Sequence, residues 1–136
     1  MAIGVVNKIT ENDACALLIK EKQELYIDNI DEIKQSKTSD NQYYFFIDYK
    51  MKDGTQFGVS YTFYLENGKF RCGTSSKLYH LLKGFLNINP LTCTGLTFAK
   101  ADIDEVLKNK KFLASAFVQS VGGSNYAYIT CEKVIV

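Results

Sequence analysis

QYYFFIDYKMKDGTQFGVSYTFYL, residues 42–65, is two alternating runs of apolar and polar residues around Lys52-Asp53-Gly54, the pattern of a β-hairpin. Register and side-chain face are locked together in such a pair, so the turn decides which rings enter the core. A two-residue turn on Asp53-Gly54 would pair Lys50 with Phe57, Asp48 with Val59 and Phe46 with Tyr61, setting charges opposite the best core residues. A three-residue loop, Lys52-Asp53-Gly54 with a left-handed Gly54 in a G1 bulge, shifts the pairing by one. Tyr49 then faces Phe57, Ile47 faces Val59, Phe45 faces Tyr61 and Tyr43 faces Phe63, and all four pairs are apolar. The second register is the one expected. Its reverse face is polar but carries three rings: Lys50 faces Gln56, Asp48 Gly58, Phe46 Ser60, Tyr44 Thr62 and Gln42 Tyr64.

The stretch 66–69, Glu-Asn-Gly-Lys, has the signature of a type I′ turn, so a third strand follows. It pairs Leu65 with Phe70 and Phe63 with Cys72 on the core side, and Tyr64 with Arg71 on the reverse face. Around this meander, Met1–Ile9 reads as a short strand and 11–22 as a helix opened by Thr10 and Asp13. Residues 24–33 read as a strand bent near Asn29, and 34–41 as a polar loop. Residues 75–86 form a helix capped by Ser75 or Ser76, with Leu78, Leu81, Leu82 and Phe85 as its apolar stripe. A short strand at 96–98 and a brief helix opened by Asp102 and Glu105 precede a closing hairpin, 111–121 and 126–136, around Gly-Gly-Ser-Asn.

The 136 residues fit one domain, 1–136, with 1–22 as an extension. Hydrophobic residues at 46% and charged residues at 23% exclude disorder. The N-terminus lacks a basic region followed by an apolar one, and no apolar stretch approaches ~20 residues, so a soluble, cytoplasmic protein is expected. The four cysteines at 15, 72, 93 and 131 form no CxxC pair and read as buried small hydrophobes. Net charge is +1, but residues 1–41 hold 5 Lys against 8 Asp/Glu and residues 42–136 hold 11 Lys/Arg against 7 Asp/Glu. An anion-binding surface is therefore expected in the second part.

Strand, strand, strand, helix, strand, strand from residue 24 is the element order of an OB fold. The expected fold is mainly β with helices (α+β): an OB-like five-stranded antiparallel Greek-key barrel, a helix between strands 3 and 4, and an extra N-terminal strand and helix. In that fold the strand 2–3 face binds oligonucleotides. Here that face carries Tyr44, Phe46 and Tyr64 with Lys50 and Arg71 beside them, and Lys34 and Lys37 in the preceding loop add candidate phosphate contacts. The alternative is that the N-terminal segment or the 75–86 helix covers the face and buries the rings.

Other chemistry is thinner. Glu32-Ile33-Lys34 with Asp28 or Asp13 makes a short metal-nuclease pattern. His80 stands without a nucleophile elbow and reads as a surface or boundary histidine, and 122–125 has no phosphate-loop context. No enzyme activity, metal or cofactor is expected.

The strand at 24–33, the polar loop, the aromatic strand ending in Asp-Gly, the helix SSKLYHLLKGFL and the closing strand NYAYITCEKVIV together resemble the small OB-type single-stranded-DNA-binding proteins of phages and other mobile elements. The resemblance implies that Tyr44, Phe46 and Tyr64 stack on bases while Lys50 and Arg71 contact the backbone. It implies a single-stranded nucleic acid as partner. A protein partner on the same face, as in an interaction or inhibitor module, is the second reading, and a metal-dependent nuclease the third. The first 22 residues are then an oligomerisation element or a lid.

Overall fold

The computed structural model describes residues 3–136. In chain order it contains α1 (Glu11–Lys20), β1 (Gln23–Ile30), β2 (Lys34–Gln35), β3 (Gln42–Met51), β4 (Gln56–Glu66) and β5 (Lys69–Gly73). These are followed by α2 (Lys77–Leu82), β6 (Gly95–Phe98), α3 (Lys100–Leu107), β7 (Lys111–Val121) and β8 (Ser124–Val134). The fold is mainly β with a few helices. One antiparallel sheet runs β6-β5-β4-β3-β1-β7-β8, and β2 pairs with β3 off that path.

The central hairpin takes the expected register: Tyr49 faces Phe57, Ile47 Val59, Phe45 Tyr61 and Tyr43 Phe63. Gly54 takes φ +92°, the left-handed conformation that the G1 bulge requires. Phe45, Ile47, Tyr49, Phe57, Val59, Tyr61 and Phe63 are all buried and share one core with Leu25 and Ile27 of β1 and Phe112 and Ala114 of β7. The β4–β5 ladder pairs Leu65 with Phe70 and Tyr64 with Arg71, and stops before Phe63 and Cys72.

α1 and α2 lie on the core side. α1 buries Ala14, Cys15 and Leu18, and α2 buries Leu78, Leu81 and Leu82, in the same cluster as the β3 and β4 rings. Thr10 caps α1 by accepting from the Asp13 N–H at 3.1 Å, and Ser76 caps α2 by accepting from the Tyr79 N–H at 3.1 Å.

β5 pairs with β4 only at Tyr64–Glu66, so the middle of β4 has a partner on one side alone. The two helices meet at this open flank. Lys77 Nζ donates to the Ser60 carbonyl oxygen and to Glu11 on α1, each at 3.0 Å. No ladder among the described residues joins β8 to β4; α2 packs against both strands in the place where closure of a five-stranded barrel would occur.

Several elements differ from the expectations. The helix read over 75–86 ends at Leu82, and two residues on Gly84 passes hard against the Cys131 backbone of β8. The loop 34–41 contains the two-residue strand β2, with Lys34 opposite Tyr44. The four-residue turn of the closing hairpin tightens to Gly122-Gly123, both at positive φ, so that β8 begins at Ser124. β1 is interrupted between Ile27 and Asn29, where Asp28 bulges out. Asp102 does open α3, accepting from the Ala99 N–H at 2.8 Å, but Ala99 is the cap residue. Of the strand read over Met1–Ile9, residues 1 and 2 lie outside the described part. The rest forms a single parallel bridge, Lys8 to Gln56. Among the described residues no helix is long and apolar enough to cross a membrane.

Candidate functional site

The reverse face of the meander is open because both helices occupy the other one. Strand pairing arranges its side chains in rows. One row is Lys111, Tyr26, Lys50 and Gln56; the next is Asp48 with Gly58, then Phe46 with Ser60. Lys34, Tyr44 and Thr62 form a further row, and Gln42, Tyr64, Arg71 and Thr97 close the face. Phe46 is 43% exposed and Tyr64 52% exposed, so these two rings are outside the core. Tyr44 is half-buried, its ring edge-on to Phe46 with centroids 6.0 Å apart.

The basic groups are arranged around the rings, and most of them are held by a carboxylate. Lys50 Nζ lies 4.0 Å from Asp28, Arg71 Nε 3.6 Å from Glu66, and Lys111 Nζ 3.5 Å from Glu24. Arg71 also donates to the Thr94 carbonyl at 3.5 Å, which keeps the guanidinium beside the β5–β6 edge. Lys34 and Lys37 are exposed and enter no ion pair among the described residues. Lys34 stands next to Tyr44 by pairing. Lys37 lies past the β2–β3 ladder, and no strand pair puts it beside a ring.

Tyr26 was not among the residues singled out from the sequence. It is 37% exposed and stands between Lys50 and Lys111. The alternation of 24–30 does put Tyr26 opposite in face to Leu25 and Ile27. Its place next to Lys50 needed the β1–β3 pairing, a long-range fact. The face also carries an acidic centre. Asp48 Oδ2 accepts from Asn29 Nδ2 at 3.4 Å, and Asn29 donates to Asp31 at 2.7 Å.

The remaining titratable groups fall elsewhere. Glu32 pairs with Lys100 at 3.7 Å, and Asp13 sits in the first turn of α1 on the far side of the sheet, away from the Glu32-Ile33-Lys34 segment. Among the described residues no three His, Cys, Asp or Glu side chains converge as a metal site. Burial pushes the Cys15 and Cys131 thiols up to about 11, so neither is a thiolate near neutrality.

His80 is less exposed than a surface position implies. Its ring stacks on Tyr128, centroids 5.3 Å apart, and meets Phe117 edge-on at 4.9 Å. Among the described residues neither ring nitrogen has a partner of hydrogen-bonding geometry, and the same holds for Gln119 Oε1 nearby. Burial, and then the Lys83 ammonium, hold its pKa below the ordinary value, with Gln119 partly opposing them.

Comparison of the chain with protein-family models, with curated proteins and with solved structures gives no match in any of the three.

Proposed function

We propose that the protein binds single-stranded nucleic acid, DNA in the first instance, without catalysis, and that it does so in the cytoplasm. The observation that carries this reading is the exposure of Phe46 and Tyr64, with Tyr44 between their rows, on a sheet face that neither helix covers. Flat rings on a rigid sheet stack on any base, and Lys34, Lys50 and Arg71 on the same face, with Lys37 in the adjoining loop, supply charge for the backbone. Counting only the long strands β1, β3, β4, β7 and β8, α2 falls between the third and fourth, which favours an OB-like fold. Origin in a phage or another mobile element belongs to the same reading.

The experiment is fluorescence anisotropy of a labelled ~20-nucleotide single strand at two salt concentrations, long enough for an OB-type site of ~4–16 nucleotides. Saturable binding that weakens as salt rises, and that falls in Phe46→Ala or Tyr64→Ala, is the expected result. No binding at low salt removes the reading.

One observation favours the second reading, a protein-interaction module. Lys50 and Arg71 already have carboxylate partners, and Asp48 sits at the centre of the face, which lowers its attraction for a polyanion. A protein docked on the rings would bind with little dependence on salt. A strand bound through its phosphates loses affinity with a log–log slope near −0.7 per contact.

A further inference from the structure

We infer that the aromatic face reads the edge of one stacked base through Asp48, selecting bases that present an amino group over thymine. This rests on the single-strand reading above and adds a chemical preference to it. Across the strands from Asp48 is Gly58, and the absence of a side chain there opens a notch of about 180 Å³. Its walls include Lys8, Ile9, Asp28, Asp48, Gln56 and Gly58. Lys8 and Ile9 stand there because residues 7–9 bond to Gln56: the Gln56 N–H donates to the Asn7 carbonyl at 2.8 Å, and the Ile9 N–H to the Gln56 carbonyl at 3.0 Å.

Asp48 is oriented for this task. Oδ2 takes the Asn29 amide, while Oδ1 accepts no hydrogen bond among the described residues and lies toward Gly58, 3.2 Å from where a Cβ would be. Phe46 precedes Asp48 by two residues on the same face, a separation of roughly 6.7 Å along the strand. Ser60, opposite Phe46, is too small to shield the ring. A base lying on Phe46 therefore extends its edge toward Oδ1.

An ionised carboxylate only accepts hydrogen bonds. The N4 amino group of cytosine and the amino groups of adenine and guanine supply donors to it, whereas the one edge donor of thymine, N3–H, is flanked by the O2 and O4 carbonyl oxygens, which a carboxylate repels. Base edges are accessible in single strands, so this reading needs no groove.

The test uses the full chain and labelled 20-mers of dC and dT, two pyrimidines whose stacking on a ring is alike. Wild type is expected to bind the dC strand roughly tenfold more tightly, the scale of one hydrogen bond to a charged group. In Asp48→Asn the ratio falls to within about twofold, since the amide offers both donor and acceptor. Gly58→Ala, which crowds Oδ1, also lowers the ratio. A purely repulsive Asp48 gives another pattern: Asp48→Asn tightens dC and dT equally and leaves their ratio unchanged, which overturns the inference. Equal wild-type affinity for dC and dT overturns it too, while the single-strand reading stands. Binding of neither strand at low salt removes both.

Discussion

Gly84 and Cys131 touch backbone to backbone: a Cβ built on Gly84 would overlap the carbonyl oxygen and the Cβ of Cys131. This contact fixes where the α2 segment crosses the edge of β8. Just beyond it Phe85 enters the core and meets Phe112 edge-on at 5.2 Å. Since the obstruction includes backbone, no side-chain rotation relieves it. Gly84→Ala is expected to destabilise the protein by roughly 1–3 kcal/mol, the usual scale for overpacking. Urea denaturation reads this as a lower midpoint with an unchanged slope.

The same contact marks one limit of the sequence. The Leu78, Leu81, Leu82, Phe85 stripe has helical spacing, so the pattern carries the helix to residue 86. The helix ends earlier, at Leu82, beside the contact that Gly84 makes with β8, some fifty residues away. Where the determinants are local, the sequence is legible. The alternation around Lys52-Asp53-Gly54 gives the register of nine cross-strand pairs, and with it the outward placement of Tyr44, Phe46 and Tyr64. Where they depend on distant pairing, the sequence is silent. The two-residue β2 beside Tyr44, Tyr26 between two lysines, and α2 lying between β8 and β4 all arise from contacts between remote segments.

Tyr49 and Tyr61 form a buried polar pair, their hydroxyl oxygens 2.6 Å apart with both rings fully enclosed. Burial raises both phenol pKa values, so the pair stays neutral across the working range. Tyr49→Phe leaves the Tyr61 hydroxyl without its partner, at a cost of roughly 1–3 kcal/mol. The double variant Tyr49→Phe/Tyr61→Phe removes both polar groups, and is expected to be more stable than the sum of the single changes. A double-mutant cycle in urea measures the difference.

His80 makes stability depend on pH in a defined direction. Its pKa is lowered in the folded protein from the ordinary 6.5, because the ring lies against Tyr128, Phe117 and Tyr79, with Lys83 close by and Gln119 the one polar side chain acting in the opposite sense. As pH falls through 6.5 the unfolded chain takes up the proton first, which favours unfolding. The His80 contribution is thus complete above 6.5 and is lost from there down to the folded value. Denaturation midpoints measured from pH 7.5 to 5 should decline in wild type more than in His80→Phe, whose ring keeps the stack and carries no titratable group.

Adjacent residues on β3 offer the sharpest separation of core from surface. Phe45 is fully buried and Phe46 is 43% exposed, although both are phenylalanines in the same strand. Phe45→Ala opens a cavity and is expected to cost roughly 3–5 kcal/mol of stability. Phe46→Ala removes a partly exposed ring that fills no core space, so stability should stay within about 0.5–1 kcal/mol of wild type. Binding to a single strand, by contrast, should weaken by roughly 1–3 kcal/mol, and Tyr64→Ala should behave alike. Lys34→Ala has a different signature: it takes away a cation that no carboxylate among the described residues holds, so the log–log salt slope should become shallower by about 0.7. A protein that loses affinity in Phe46→Ala while the salt slope of Lys34→Ala equals that of wild type would be using its rings on something other than a phosphate backbone.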